Sequence, residues 1–303
     1  MGLSGLFEGL NFQAFAVLAD EAGRIWAGTV GGLNVSLDQG VSWRHFRTED
    51  GLLGNWIISI EEQPQPGGEP AIWATNWTGI GAGERFGVVV TRDGGQTFEA
   101  ALQGERIYDF AFRGETVYAA GENGLFISND GGLTWRTVRD FADPTQPDRT
   151  FRPGARVFAV ATTNDALWVG TEDGLFRSLD GGNSWRVFRA EVPLSPEGLP
   201  SIIPAERVPK VDSYAYPNPF SPASDRFVRI RYKLDRDEQV QLRIFDFGMN
   251  LVRSLTDERQ AAGEREVSWD GADDRGARVA NGTYFYAVEA GGETFWGKIL
   301  VLE

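Results

Sequence analysis

The chain has 303 residues, 42% of them hydrophobic, with ten Trp and twenty Phe, which is length and apolar content enough for two packed domains. Its formal net charge of −14 opposes a nucleic-acid partner, because binding to phosphates needs a basic footprint. With no Cys and a single His, disulfides, Cys-ligated metals and His clusters are excluded, and no apolar stretch is long enough to cross a bilayer as a helix.

The sequence opens MGLSGLFEGLNFQAF, which has neither a charged leading region nor a compact apolar segment and so does not read as a signal peptide. From residue 11 a pattern begins that recurs four times. In the first copy FQAFAVLAD, RIWAGT, GLNV and WRHFR predict strands A to D, with SLDQGVSW at 36–43 between C and D. The second copy reads WIISIEEQ, IWATN, GVVV and FEAAL around TRDGGQTF at 91–98. The third reads RIYDFAFR, TVYAAG, GLFI and WRTVR around SNDGGLTW at 128–135, and the fourth RVFAVATT, LWVGT, GLFR and WRVFR around SLDGGNSW at 178–185. Trp26, Tyr118 and Trp168 each stand ten residues ahead of the octapeptide; Trp73 stands eighteen ahead, so the second copy carries an eight-residue insertion within 76–87.

The runs alternate or are solidly apolar, and none has helical periodicity. Four strands per repeat of about 40–50 residues is the blade of a β-propeller. The fold class expected is all-β, a partial propeller of about four four-stranded blades over residues 1–192. The octapeptide then falls in the C–D hairpin. Its Asp (Asp38, Asp93, Asp130, Asp180) is placed to accept backbone N–H groups of the turn. Its Gly (Gly40, Gly95, Gly132, Gly182) supplies a positive φ, and its closing Trp or Phe packs between blades. A motif repeated once per blade reads as building material, with no catalytic role. The lone histidine, His45, lies in alternating WRHFR and reads as a strand-surface residue.

S-x-D-x-G-x-[ST]-W resembles the Asp-box, the bacterial neuraminidase repeat of sialidases, sortilin-type receptors and many secreted bacterial propellers. The resemblance covers roughly residues 11–190 and implies the fold, while leaving activity open. The stretches IWAGTVGGLN and EDGLLGNWI also resemble propeller repeats of hybrid two-component sensors. In a propeller the B–C and D–A loops share the channel face, opposite the octapeptides. That places RTEDGLLGNW at 47–56, NWTGIGAGERFG at 76–87 and RDFADPTQPDRTFRPGA at 139–155 together. They contribute Trp56, Trp77, Arg85, Phe151 and Arg152 as a candidate binding face for a protein or carbohydrate ligand.

Eight of the fourteen prolines lie between 193 and 222, and residues 193–212 read as a linker, since Pro cannot continue a central strand. Beyond it FVRIRYKL, QVQLRIFDF, NLVRSL, REVSWD, TYFYAVEA and TFWGKILVL predict an Ig-like sandwich over 213–303. Turn dipeptides DG at 270–271, RG at 275–276 and NG at 281–282 separate the runs. Asp270, Asp273 and Asp274 cluster in WDGADDRG without a calcium-loop spacing and read as a solvated turn, so no metal or cofactor is expected. YPNPFSP, IRYKL, VQLRIFDFGMNLVRSL, AAGEREVSWDGADDRGARVANGTYFYAVEA and the terminal GKILVL resemble the FlgD-type Ig-like domain, a pattern shared with the C-terminal sorting domain of type IX secretion cargo.

That resemblance implies a secreted or outer-surface bacterial protein that meets the secretion machinery through its C-terminal domain. An exported chain without a signal peptide reads as truncated at the N-terminus. The function expected is a non-catalytic binding or scaffold module. The alternative is a glycoside hydrolase, sialidase-like or an Asp-box glucanase, drawing on Arg106, Tyr108 and Arg156 of the inner strands and on acids such as Asp50. A sensory propeller is a third reading, which no transmembrane or kinase segment supports in this chain.

Overall fold

The computed structural model describes residues 13–65, 67–79, 81–145, 151, 153–188 and 212–303. The described residues are almost wholly strand and turn, with a single 3-10 turn at Thr48–Asp50. The chain divides into two compact units. One ends at Ala142 and resumes at Pro153; the other takes in Asp143–Thr145, Phe151 and the residues from 212 onward. The expected boundary at 192 and residues 193–211 of the expected linker lie outside the described residues.

The N-terminal unit is a partial β-propeller of four antiparallel blades. Blade 1 is β1 (Ala14–Ala19), β2 (Ile25–Thr29), β3 (Leu33–Ser36) and β4 (Arg44–Phe46). Blade 2 is β5 (Ile60–Gln63), β6 (Ala71–Asn76), β7 (Gly87–Thr91) and β8 (Glu99–Ala101). Blade 3 is β9 (Ile107–Arg113), β10 (Thr116–Gly121), β11 (Gly124–Ser128) and β12 (Arg136–Val138). Blade 4 is β13 (Val157–Thr162), β14 (Leu167–Thr171), β15 (Gly174–Ser178) and β16 (Arg186–Phe188). The first strands of successive blades approach one another, β1 to β5, β5 to β9 and β9 to β13, which makes them the inner strands.

Sequence and burial agree blade by blade. AIWATN of β6 is buried at every residue, because a middle strand of an inner blade is covered on both faces. The outer strands are three residues long and half exposed, like EAA of β8, which keeps the free edge short. Alternate residues face alternate neighbours. Ile60, Ile72, Ala74 and Val89 pack with Trp26, Val35 and Phe46 of blade 1. Trp73, Val88 and Val90 pack with Phe110, Ala119 and Phe126 of blade 3. The central tryptophans are also held by polar groups. Trp26 Nε1 donates to Asp20 at 2.8 Å, and Trp73 Nε1 donates to Gln63 at 2.9 Å. Gln63 then donates to Gly114 O of blade 3 at 2.8 Å, so one side chain serves its own blade and the next.

The described residues of the C-terminal unit form a seven-stranded sandwich. One sheet pairs β17 (Ser213–Tyr216), β18 (Val228–Leu234) and β21 (Gly263–Trp269). The other runs β20 (Leu251–Gln260), β19 (Glu238–Phe245), β22 (Gly282–Ala290) and β23 (Glu293–Val301). Val228, Ile230, Tyr232 and Trp269 from one sheet meet Val240, Leu242, Tyr286 and Ile299 from the other. The YPNPF stretch is a clasp on the last strand. Asn218 donates to Lys298 O and accepts from Leu300 N, both at 2.9 Å, and Phe220 N donates to Leu300 O at 2.8 Å. Phe220 itself is fully buried beside Trp269.

Candidate functional site

The four octapeptides connect the third and fourth strands of each blade and share one hydrogen-bond scheme. The Ser or Thr hydroxyl donates to the Asp carboxylate: Ser36 to Asp38 at 2.9 Å, Thr91 to Asp93 at 2.8 Å, Ser128 to Asp130 and Ser178 to Asp180 at 2.7 Å. The same hydroxyl accepts the N–H of the Gly, at 2.7 Å for Gly40 and 2.8 Å for Gly95, Gly132 and Gly182. The other carboxylate oxygen takes the hydroxyl of the second Ser or Thr, as Asp130 does from Thr134 at 2.5 Å. The glycines have φ of 87 to 97°, a region only Gly enters cheaply.

These bonds favour the ionised carboxylate. The Thr134 hydroxyl and amide and the Ser128 hydroxyl hold Asp130 at about 2. Partial desolvation pushes Asp93 up, but bonds from Thr97, Thr91 and Gln96 outweigh it and bring it to about 2. Asp38 and Asp180 are also lowered, chiefly by the hydroxyls of Ser42 and Ser184. Acids tied into their own turn in this way are clamps.

A different set of residues makes a surface. Trp56 and Trp77 are joined by an isolated antiparallel bridge, Trp56 just ahead of β5 and Trp77 just past β6, with ring centroids 6.2 Å apart. Phe15 of β1 lies 5.7 Å from Trp56. Tyr108 of β9 lies 5.6 Å from Trp77, and Phe158 of β13 lies 5.7 Å from Tyr108. The five rings form one arc that crosses all four blades along their inner strands. They are tilted or edge-on to one another, the preferred aromatic geometry. The end members Phe15 and Phe158 are exposed, while Trp56, Trp77 and Tyr108 are half-buried. Arg106 stands over Trp77 at 5.0 Å and over Phe86 at 4.5 Å, and Arg156 over Phe158 at 5.7 Å. Glu122 and Glu172 pair with these arginines at 3.3 and 3.2 Å.

Of the five residues expected on the binding face, the structure brings Trp56 and Trp77 into direct contact. Arg85 is exposed on the long connection between β6 and β7, whose backbone is tied to blade 2 by Arg85 N donating to Leu53 O at 2.8 Å. Phe151 groups with the C-terminal unit, and Arg152 lies outside the described residues. Phe15 and Phe158 are not among the residues that the sequence patterns single out, and Tyr108 enters there only as part of a hydrolase. Aligning the repeats on their inner strands would have found them, because Phe15, Tyr108 and Phe158 occupy one column of FAVLA, YDFAF and FAVAT.

Two acids lie on the same strands. Burial raises Glu61 of β5, and the nearby Asp109 charge adds to it; burial likewise raises Asp109 of β9. Asp109 accepts N–H groups from Phe110 and, across the blade joint, from Val160, both at 2.9 Å. Asp50 accepts Arg47 N at 2.9 Å within the 3-10 turn. His45 Nε2 lies 3.0 Å from Gly31 O, and burial lowers its pKa. In the C-terminal unit Asp270 caps Ala272 N at 3.0 Å, Asp273 accepts Arg275 N and Ala277 N at 2.9 and 2.8 Å, and Asp274 accepts Ser254 N at 3.2 Å. Asp270 and Asp273 serve their own turn and Asp274 ties it to β20; among the described residues no group of three or more His, Cys, Asp or Glu is placed to hold a metal ion. Nor is any described helix long and apolar enough to cross a membrane.

The family model of the FlgD Ig-like domain matches residues 223–293, from the approach to β18 to the start of β23. No curated protein matches the chain. Among solved structures it is similar to PorZ, described as an essential bacterial surface component of the type-IX secretion system of Porphyromonas gingivalis, at 17% identity over 96% of this chain and 45% of PorZ, with a TM-score of 0.46. It is similar to an ancestral GH74 enzyme at 15% identity over 95% of this chain and 38% of the enzyme, TM-score 0.48. It is also similar to the extracellular domain of the two component system protein BT3049 from B. thetaiotaomicron, at 14% identity over 95% of this chain and 38% of that domain, TM-score 0.40. The chain spans less than half the length of each of these proteins.

Proposed function

We propose that the chain is a non-catalytic binding module whose propeller presents the aromatic arc to an extended ligand. The single observation that carries this reading is the run of five neighbouring rings, one or more from every blade, with two arginines laid on them. Rings at successive spacings of 5.6 to 6.2 Å offer repeated apolar faces. Such faces stack on the apolar faces of consecutive sugar rings, and Arg106 and Arg156 add donors for hydroxyl or carboxylate groups. A glycan chain is the ligand this chemistry fits best; an extended peptide is the other outcome. The octapeptide turns, read as Asp-boxes, hold the blades that present the arc. The C-terminal unit, read as a FlgD-type domain of the type IX sorting class, directs the protein to the outer surface or beyond.

Equilibrium binding to glycan and peptide panels tests the reading. Trp77→Ala and Tyr108→Ala are expected to weaken a captured ligand by about tenfold or more each, the usual scale for a central aromatic contact. A panel without ligands, or ligands insensitive to both changes, would sink it. For the C-terminal unit, the chain placed behind a signal peptide in a type IX-competent bacterium is expected at the cell surface, and retention in the periplasm would refute the address.

A second reading, glycoside hydrolysis, is supported by one observation: Glu61 and Asp109 are acids of raised pKa on neighbouring inner strands. Both Asp109 oxygens already accept backbone N–H groups, which favours a positioning role between blades. Turnover of fluorogenic glucans or sialosides that is lost in Glu61→Gln would favour the hydrolase.

A further inference from the structure

We propose that the sugar seated on Tyr108 is a neutral one, selected by two Arg–Glu pairs that flank the ring, Arg106–Glu122 and Arg156–Glu172, a choice that rests on the aromatic arc being the ligand surface. Tyr108 lies 5.6 Å from Trp77 on one side and 5.7 Å from Phe158 on the other. Each of those neighbouring rings carries an arginine, Arg106 over Trp77 and Arg156 over Phe158. Each arginine in turn is held by a glutamate of its own blade.

The two pairs repeat one construction. Arg106 directly precedes β9 and Arg156 directly precedes β13, while Glu122 directly follows β10 and Glu172 directly follows β14. The backbone brings each pair together, since Glu122 N donates to Arg106 O at 3.0 Å and Glu172 N to Arg156 O at 3.1 Å. The side chains then meet: Arg106 Nη1 lies 3.3 Å from Glu122 Oε2, and Arg156 donates from both Nε and Nη2 to Glu172 Oε2 at 3.2 Å. A ligand can reach the first pair, whose side chains are 35% and 38% exposed. Trp77 and Phe86 cover the Arg106 guanidinium at 5.0 and 4.5 Å. Blades 2 and 3 supply all of these groups, so the setting of Arg106 is the same whatever flanks the unit.

Rings over the guanidinium leave its edge as the part that bonds a ligand, and Glu122 sits at that edge. A donor therefore stands beside an acceptor. A sugar hydroxyl both donates and accepts and can serve the two at once, whereas a carboxylate only accepts. Two arginines alone would clasp a carboxylate. Two arginines that each already hold one present no net positive charge, and a ligand carboxylate would meet Glu122 as a like charge. Glu61 of β5 and Asp109 of β9 add further acid to the inner strands. Tyr108 lies within the same field: burial raises its pKa, the Glu122 charge adds to the rise, and Arg106 and Arg156 oppose it. Like charges brought together in this way act mainly to suppress the wrong partner.

The test is calorimetric titration of the whole chain with cello-, manno- and galacto-oligosaccharides, each beside the form whose primary alcohols are oxidised to carboxylates. Wild type is expected to favour the neutral member of a captured pair by about tenfold or more. That preference should shrink at about 0.5 M salt, which screens like-charge repulsion, and this readout needs no variant to fold. Glu122→Gln keeps the side-chain size and the main-chain bond to Arg106. It is expected to retain the wild-type circular dichroism, to bind the oxidised sugar about tenfold more tightly than wild type, and to hold the neutral sugar within about threefold. Equal capture of both forms, a preference for the oxidised one, or a preference indifferent to salt and to Glu122→Gln overturns the assignment of a neutral sugar while leaving the arc as the ligand surface. Capture of no sugar in either form removes the arc as a glycan site and this specificity with it.

Discussion

Replacing Gly132 by Ala tests whether the octapeptide glycine is a joint between blades as well as a turn residue. Two costs add at this position. A φ of 97° lies in the region that L side chains avoid, which costs about 1–2 kcal/mol. The new Cβ would also lie 2.4 Å from the Trp73 ring, whose indole is fully buried and fixed by its bond to Gln63. Overpacking of that kind costs about 1–3 kcal/mol more. Gly114, on the β9–β10 turn, separates the two costs. It has φ of 59° and nothing within 4 Å of its would-be Cβ, so Gly114→Ala carries the backbone cost alone. Urea unfolding followed by Trp fluorescence is expected to show Gly132→Ala less stable than Gly114→Ala by about 1–3 kcal/mol. Trimming the ring with Trp73→Leu should recover part of that difference, giving a coupling of about 1 kcal/mol in a double-mutant cycle. Equal destabilisation by the two glycine changes, with no coupling to Trp73, would refute the wedge.

Other consequences follow from the same geometry. Asp93 and Asp130 have folded pKa values of about 2, below the unfolded value, so their stabilisation is complete above about pH 4 and is lost as pH falls toward 2. Asp93→Asn is therefore expected to flatten the dependence of melting temperature on pH between about 4 and 2, and an unchanged slope counts against the clamp. Asp20 has a fully buried side chain that accepts Trp26 Nε1 and pairs with Arg24; Asp20→Ala should cost about 3 kcal/mol in thermal unfolding, and a loss near zero would contradict it. Asn218→Ala removes both bonds to the last strand and should speed hydrogen exchange at Leu300 by about tenfold without unfolding the sandwich. Protection equal to wild type would show that Phe220 alone anchors the clasp.

How much of this was legible in the sequence depends on the range of the contacts. The octapeptide turns were readable because the bonds of their Ser and Asp side chains join residues two to four positions apart, from Ser128 to Asp130 and from Asp130 to Thr134. The blades followed, since hairpins between adjacent strands leave little choice of partner. The insertion in the second repeat was also readable and became the long connection from Asn76 to Gly87. The aromatic arc was not. Loop length selected Arg85, Phe151 and Arg152, but a loop's length does not fix its path, and Phe151 groups with the other unit. The rings that meet are set by inter-blade register, and that register is fixed by non-local contacts: Trp26 against Gly95, Trp73 against Gly132, Val160 N on Asp109. Only once those joints are known does the column Phe15, Tyr108, Phe158 become a surface. A change that shifts a joint, such as Gly132→Ala, should therefore weaken ligand capture at the arc although it touches none of its rings, whereas Gly114→Ala should not. Capture that tracks the two variants equally would mean that the arc is held by each blade alone.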